Sequence, residues 1–341
     1  MSYLEKDLEI IKNSEFAEKL RGAKILVTGA TGLIGSLLVR SFLRIKSEIY
    51  IVVRNIEKAK IIYGSDINKI HVLIGDITSL SWQKEIETTI DYVFHCAAVT
   101  SSKVMVSKPV ETIKTAIDGT ENILLFSDQH KVRTFVFVSS MEVYGTLAQG
   151  EIATEDKLGF IDISKIRSDY PESKRMCENL CIAYSAEKGI DVRIARLAQT
   201  FGPGILPWER RVFAQFAQSV INGTDIVLHT RGLSEGNYCY SRDMVLGLFT
   251  ILFKGNNREA YNVVNVENHM TIADMAHLVA NEVAGGRIKV VYDISDDNKY
   301  GYAADTHLKL SGNKLEGLGW KPEVQLKDMY NRMIYDMKAN D

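Results

Sequence analysis

Residues 23–35 have the sequence AKILVTGATGLIG, in which a β-branched apolar run leads directly into three evenly spaced glycines. Gly29, Gly32 and Gly35 follow the spacing G-x-x-G-x-x-G, and residues 33–43 continue with the apolar periodicity of a helix. Small residues at a strand-to-helix turn let a pyrophosphate approach the backbone at the helix amino terminus. The alternative is a tight turn with a purely structural role. We expect a dinucleotide to contact this turn at Gly29, Thr31, Gly32, Leu33, Ile34 and Gly35.

Five more β-branched runs follow the first one, and helical patterns separate them. The runs begin at residues 48, 69, 91, 134 and 191, and the clearest helical patterns cover residues 33–43, 109–126 and 171–188. Nearly continuous apolar strands that alternate with helices are typical of a parallel sheet covered on both faces. The sequence therefore predicts an α/β fold with a doubly wound parallel sheet, the Rossmann fold.

The chain divides into three predicted parts. Residues 1–22 have the pattern of an amphipathic helical extension, and residues 23–199 form the Rossmann domain. From residue 200 the pattern becomes irregular, with helices predicted at 209–222 and 272–284, a strand at 225–229, and Thr271 as a helix cap. We expect residues 200–341 to form a smaller C-terminal α/β substrate lobe, from which some segments return to the Rossmann domain.

Composition limits the classes of partner. The 341 residues carry 41 Lys and Arg against 43 Asp and Glu, a formal net charge of −2. This balance lacks the global positive field of most nucleic-acid binders, so a small molecule is the expected partner. No stretch has the roughly 18 apolar residues of a membrane helix, so we expect no membrane contact and a cytoplasmic location. The four cysteines lack zinc-ligand spacing, and no metal is expected.

The ends of the second and third predicted strands carry candidate cofactor contacts. Arg54 stands where an acidic side chain would bind an adenosine ribose hydroxyl. A guanidinium suits a ribose 2′-phosphate, so the sequence favours NADP over NAD, unless Arg54 is a solvated arginine. Asp76, followed by Ile77, either accepts from the adenine amino group or forms a turn.

Tyr170 and Lys174 form the candidate chemical centre. They are spaced i, i+4 at the start of a predicted helix, so both side chains share one face. An adjacent ammonium and a helix amino terminus both stabilise a phenolate, which predicts a lowered pKa for Tyr170. Ser140, after the fifth strand, is placed to orient the same substrate oxygen.

Taken together, these motifs resemble the extended short-chain dehydrogenase/reductases, specifically the nucleotide-sugar epimerases and dehydratases. The resemblance extends from about Lys24 to Trp320. It is carried by TGATGLIG at residues 28–35, Asp76, HCAA at 95–98, SSMEVYG at 139–145, YPESK at 170–174 and RLAQTFGPG at 196–204.

The resemblance implies roles for these residues. It makes Tyr170 the catalytic base, Lys174 the group that lowers its pKa and holds the nicotinamide ribose, and Ser140 the third member of the triad. It also implies that Ala97 and Ala98 line the cofactor cleft. The implied reaction oxidises a sugar at carbon 4 to a transient ketone, from which epimerisation, dehydration or decarboxylation can follow.

Glu142 matches a glutamate that dehydratases and decarboxylases of this family use near carbon 5. Dehydratases with an Asp-Glu pair would place their acid at Met141, which cannot donate a proton. Glu142 is therefore either an acid–base group beside a ketone or a structural hydrogen-bonding residue at a strand end.

The substrate half departs from the family pattern. Gln199 replaces the usual nucleotide-contacting asparagine, and Gly236 and Tyr302 stand where two diphosphate-binding arginines are expected. Arg231, Arg242 or Lys309 can replace that charge, or each is a solvated residue. On the loop after the fourth strand, cofactor and sugar are expected to meet at Thr100, Ser101 and Lys103, with Lys103 either touching substrate or fully solvated.

Three hypotheses remain at this stage. The first is an NAD(P)-dependent epimerase or dehydratase of a nucleotide sugar, and the second is an NADPH-dependent keto-sugar reductase, which Arg54 favours. The third is a non-catalytic cofactor-binding regulator, although such a protein needs no activated base. The family resemblance also implies a homodimer formed through the helices at residues 109–126 and 171–188.

Overall fold

The computed structural model describes residues 1–86, 88–294 and 305–340. Its strands are β1 Lys24–Thr28, β2 Glu48–Val53, β3 Ile70–Ile74, β4 Tyr92–His95, β5 Thr134–Ser140, β6 Ile152–Ala153, β7 Val192–Leu197, β8 Gln199–Phe201, β9 Ile226–Leu228, β10 Glu235–Tyr240, β11 Glu259–Val263, β12 Asn265–Thr271, β13 Val290–Tyr292 and β14 Lys309–Leu310. Its helices are α1 Tyr3–Lys12, α2 Ala17–Leu20, α3 Leu33–Ile45, α4 Ile56–Tyr63, α5 Ser102–Ser107, α6 Pro109–Gln129, α7 Asp169–Lys188, α8 Val212–Asn222, α9 Ser241–Lys254, α10 Ile272–Leu278, α11 Asn313–Glu316 and α12 Leu326–Asn340.

A parallel sheet of seven strands forms the centre of the fold, in the order β11-β7-β5-β4-β1-β2-β3. Its interior strands are almost fully buried, as expected for strands with helices on both faces. The predicted doubly wound fold is confirmed. The sequence did not predict β11, which follows the first part of the irregular region and pairs with β7 as the outer strand.

The remaining strands form a smaller α/β lobe. β8, β10 and β12 make a three-stranded sheet, while β9 pairs with β13 and β6 with β14. This lobe has its own apolar cluster, in which Phe201, Phe213 and Tyr330 are fully or almost fully buried. The Oγ1 atom of Thr271 accepts a hydrogen bond of 3.0 Å from the Asp274 amide, so the predicted cap of α10 is confirmed.

The predicted N-terminal extension forms two helices, α1 and α2. α1 packs against α3, α9 and α12, and so contacts both the central sheet region and the smaller lobe. Within the part of the chain that the structure describes, no helix combines the length and apolar content needed to cross a membrane.

Candidate active site

The glycine turn lies at the carboxyl edge of the sheet, between β1 and α3. Gly29 has φ +69°, and a Cβ there would lie 2.7 Å from the Ala97 amide nitrogen at the end of β4. A Cβ on Gly35 would lie 2.3 Å from the Gly29 carbonyl oxygen. Residues larger than glycine are therefore excluded at both positions. Gly29 lies too close to the backbone that follows β4, and Gly35 lies too close to the backbone of Gly29.

The amino terminus of α3 suits an anion. Gly32 caps the helix without a side-chain hydrogen bond, and the first turn carries no acidic residue. Backbone amides in such a position bind phosphate groups well. Of the other predicted contacts, Leu33 is buried, Thr31 and Ile34 are partly exposed, and the Ala97 amide donates 3.2 Å to Thr28 Oγ1. The turn thus fits the pyrophosphate of a dinucleotide.

Arg54 and Asp76 come together at the ends of β2 and β3. Their Nη1 and Oδ2 atoms are 3.7 Å apart; the Arg54 side chain is largely exposed and that of Asp76 is partly exposed. Burial alone would raise the pKa of Asp76, but hydrogen bonds from Thr78 and the charge of Arg54 outweigh it and lower the pKa. Ile77 is buried against Gly119 of α6. The sequence singled out Arg54 and Asp76 separately and did not predict that they form a pair.

Ser140, Tyr170 and Lys174 converge beside the end of β5. Tyr170 is the second residue of α7, and its hydroxyl faces Ser140, whose hydroxyl favours the ionised phenol. Lys174 is one helical turn later and only 3% exposed, with its Nζ 6.0 Å from the centre of the Tyr170 ring. The Lys174 ammonium donates 2.8 Å to the Val138 carbonyl of β5. The spacing of the three residues in sequence therefore produces one cluster in space.

The sequence predicts a lowered pKa for Tyr170, and this prediction is wrong for the protein on its own. Burial raises the pKa of its phenol, and the neighbouring Glu142 carboxylate raises it further. Ser140, Arg167 and Arg211 oppose this shift without overcoming it. Burial also lowers the pKa of Lys174. Desolvation dominates in both groups, since Lys174 is buried against β5 and the phenol of Tyr170 is partly buried beside it.

Glu142 pairs with an arginine that the sequence analysis did not single out. Arg167 Nη2 lies 3.0 Å from Glu142 Oε1 and 2.8 Å from Oε2, and its guanidinium lies 5.6 Å from the centre of the Tyr170 ring. Burial raises the pKa of Glu142, and Arg167 acts in the opposite direction. The only sign of Arg167 in the sequence is its place three residues before Tyr170, directly ahead of α7.

The predicted substrate contacts are dispersed around this centre. Thr100, Ser101 and Lys103 are exposed at the start of α5, and Ala98 is partly buried on the same connection. Gln199 begins β8 beside Tyr238 of β10, and Arg231 is exposed between β9 and β10. Their roles toward a substrate stay predictions.

The positions of the two missing diphosphate-binding arginines, and the residues suggested to replace their charge, differ in exposure and in pairing. A Cβ on Gly236 would lie 3.6 Å from Met141 Cε, so this position faces the turn that carries Glu142 but adds no charge. Arg242 is wrong as a substrate contact, because it is only 5% exposed and its Nη2 lies 2.9 Å from Asp243 and 2.6 Å from Glu323. Lys309 is exposed in β14. Tyr302 lies outside the described residues.

Comparison with known proteins agrees with this geometry. Residues 25–266 match the model of the NAD dependent epimerase/dehydratase family. UDP-glucuronic acid decarboxylase 6 of Arabidopsis thaliana is 29% identical over 338 residues, covering 96% of this chain and 92% of that protein.

Solved structures of nucleotide-sugar enzymes share the fold. A UDP-glucose 4-epimerase from Thermotoga maritima, solved with UDP-glucose, matches with a TM-score of 0.80 at 23% identity, covering 93% of this chain and 99% of its own. A dTDP-glucose 4,6-dehydratase from Streptomyces venezuelae, solved with NAD and TYD bound, matches with a TM-score of 0.76 at 23% identity, covering 93% and 97%. The chain therefore belongs to the NAD dependent epimerase/dehydratase family, within the extended short-chain dehydrogenase/reductases.

Proposed function

We propose that the protein oxidises a nucleotide-activated sugar at carbon 4 and then acts on the resulting ketone. The observation that carries this proposal is the cluster of Ser140, Tyr170 and Lys174, on the same edge of the sheet as the glycine turn. Tyr170 takes the proton of the carbon 4 hydroxyl while Ser140 orients that oxygen. When bound, the nicotinamide supplies the acceptor for the hydrogen and electron pair that leave carbon 4. Lys174 keeps positive charge close to the phenol.

For the second step we favour decarboxylation of a nucleotide-linked uronic acid. Met141 has no proton to give at the position where dehydration would need an acid, and the relative from A. thaliana is named a UDP-glucuronic acid decarboxylase. A ketone at carbon 4 makes a carboxylate at carbon 6 a β-keto acid. The bond between carbons 5 and 6 then breaks, carbon dioxide leaves, and the enolate that remains takes one proton at carbon 5. Return of the hydrogen and electron pair to carbon 4, with the proton of Tyr170 going back to its oxygen, makes the loss of one carbon dioxide the net change.

Mass spectrometry after incubation with a panel of nucleotide sugars tests this function. We expect UDP-glucuronic acid to lose one carbon dioxide, and the Tyr170→Phe variant to leave it unchanged. Loss of water from another sugar would indicate a dehydratase, an unchanged mass with altered retention an epimerase, and gain of two hydrogens the keto-sugar reductase. No change with any sugar would favour the non-catalytic regulator.

We also propose that the cofactor is NADP, with Arg54 binding the 2′-phosphate. The exposed guanidinium at the end of β2 supports this, although Asp76 competes for its charge. Titration calorimetry with NADP and NAD should show that Arg54→Asp reverses the preference, while the matched variant Lys60→Asp on α4 keeps it. An unchanged ratio of the two affinities in Arg54→Asp would refute the phosphate contact.

The remaining proposals concern the organisation of the molecule. We propose that residues 200–341, apart from β11, bind the nucleotide half of the substrate, and that residues 1–22 and 23–199 are the other two parts of the chain.

A homodimer through α6 and α7 is supported by exposed apolar side chains on both helices, among them Val110, Ile113, Met176 and Ile182. The cytoplasmic location expected from the sequence stays a prediction.

A further inference from the structure

Arg167 lies between the two ionisable groups closest to the proposed chemistry. Both carboxylate oxygens of Glu142 accept hydrogen bonds from its Nη2, at 3.0 and 2.8 Å. The same guanidinium lies 5.6 Å from the centre of the Tyr170 ring. The side chains of Arg167 and Glu142 are 29% and 39% exposed, so water screens the pair only in part. One arginine therefore contacts the carboxylate and faces the phenol at the same time.

The other charged groups around Tyr170 have different partners from Arg167. Lys174 of α7 directs its ammonium to the Val138 carbonyl, 2.8 Å away. Arg211, before α8, is paired with Glu209 at 2.6 Å. Asp169, adjacent to Tyr170, accepts from the Tyr170 amide at 2.7 Å and adds negative charge.

Among the described residues, β10 and β5 place uncharged positions next to the turn that carries Glu142. Gly236 of β10, where an added Cβ would meet Met141 first, carries no side chain. Ser140 of β5 contributes a neutral hydroxyl. Arg167 is thus the positive group that is hydrogen-bonded to Glu142 and also faces the ring of Tyr170.

We propose that Arg167 is a positioning residue of this active site. Its guanidinium fixes the Glu142 carboxylate beside Tyr170 and supplies part of the positive charge that stabilises the Tyr170 phenolate. The inference rests on the proposed function for the role of the phenolate. The contact between Arg167 and Glu142 stands independently of it.

The first test needs no turnover. The protein is labelled with ¹³C at the glutamate carboxyl carbon, the Glu142 resonance is assigned by its loss in Glu142→Gln, and its pKa is followed by NMR. We expect Arg167→Gln to raise the pKa of Glu142 by about one unit, and Arg167→Lys to raise it less. The control is Arg133→Gln, which breaks the exposed pair with Asp91 at the opposite edge of the sheet. An unchanged pKa in Arg167→Gln would overturn the proposal.

The second test reads Tyr170 through the pH dependence of kcat. A phenolate deprived of Arg167 forms at higher pH, so Arg167→Gln should move the acidic limb upward by about one unit, with about tenfold lower kcat at neutral pH and KM within threefold. Partial rescue by lysine supports the charge effect. A higher KM with unchanged kcat would overturn the proposal, since Arg167 would then bind substrate. A wild-type protein inactive on every nucleotide sugar would refute the proposed function, while the pKa of Glu142 would still decide the contact with Arg167.

Discussion

Tyr170 carries its hydroxyl against Ser140 and its ring 6.0 Å from Lys174 Nζ, in a site where burial opposes ionisation. The Tyr170→Phe variant keeps the ring and its packing but removes the group that exchanges the proton. We expect kcat to fall by a factor of about 10² to 10⁴, with cofactor affinity changed only a few fold. Product formation by mass spectrometry and cofactor binding by calorimetry measure the two effects. Retained turnover would remove Tyr170 from its proposed role.

We propose that Glu142 acts in the step that follows oxidation. The Glu142→Gln variant keeps the shape of the side chain but cannot exchange a proton, so the reaction should stop at the ketone. We expect reduced nicotinamide to accumulate in a single turnover, followed by its absorbance. Glu151→Gln, at an exposed pair with Lys157, is the matched control and should behave as the wild type. Normal product formation by Glu142→Gln would make Glu142 a structural residue.

Sequence spacing predicted the parts of this site that regular structure brings together. Tyr170 and Lys174 lie one helical turn apart, and Ser140 ends the strand that α7 packs against, so their meeting follows from secondary structure. Arg167 lies in a single 3₁₀ turn, Ile166–Ser168, ahead of α7, and so short a turn has no sequence periodicity that fixes the direction of a side chain. Its pairing with Glu142 depends on tertiary packing, as does the pairing of Arg54 with Asp76.

At the scale of elements, α1 connects the two ends of the chain. The Tyr3 and Leu4 amides each donate 2.7 Å to the Asp336 carboxylate of α12, which satisfies the amino terminus of α1. One turn later, Asp7 of α1 is buried and accepts 2.5 Å from the Tyr240 hydroxyl at the end of β10. The buried Arg242 lies 3.8 Å from Asp7. A small segment outside the central sheet thus contacts the smaller lobe through buried polar groups.

The buried carboxyl of Asp7 makes stability depend on pH. Burial raises the pKa of Asp7 to about 6, against smaller opposing effects of Tyr240 and Arg242. The folded state therefore holds a proton that the unfolded state has lost, and the contribution of Asp7 to stability decreases as pH rises from about 4 to about 6. We expect the free energy of unfolding of the wild type, relative to Asp7→Asn, to fall by at most about 3 kcal/mol over that interval.

Urea unfolding of both proteins at several pH values measures this difference, because other titrating groups cancel. Asp66→Asn, at an exposed pair with Lys69, is the control and should run parallel to the wild type. A difference between wild type and Asp7→Asn that stays constant with pH would show that Asp7 keeps an ordinary pKa when folded.

Across the molecule, a buried ion pair and its hydrogen bonds join α7, β7 and β5. Glu178 of α7 accepts 2.8 Å from Arg196 of β7 and 2.5 Å from the Ser139 hydroxyl of β5. Arg196 also donates 3.1 Å to the hydroxyl of Tyr144, the last residue of the turn that carries Glu142. The sequence predicted each of these strands and helices but not this network, because its partners are far apart along the chain. The sequence did not predict β11 for the same reason, because its partner strand β7 is far away along the chain.

The outer face of α6 and α7 bears on the assembly of the molecule. Val110 and Met176 are 66% and 52% exposed, and an apolar groove of about 510 Å³ lies between the two helices and residues 163–168. A two-fold dimer through this face buries each side chain twice, so one substitution acts on both copies. We expect Met176→Glu to weaken dimerisation by about 3 kcal/mol, or about 100-fold in the dissociation constant, because it places two carboxylates in an apolar contact. Sedimentation velocity over a range of concentrations measures the shift, with Ile61→Glu on α4, another exposed apolar position at 69%, as the control. A wild-type protein that stays monomeric, or a dimer indifferent to Met176→Glu, would contradict an interface on this face.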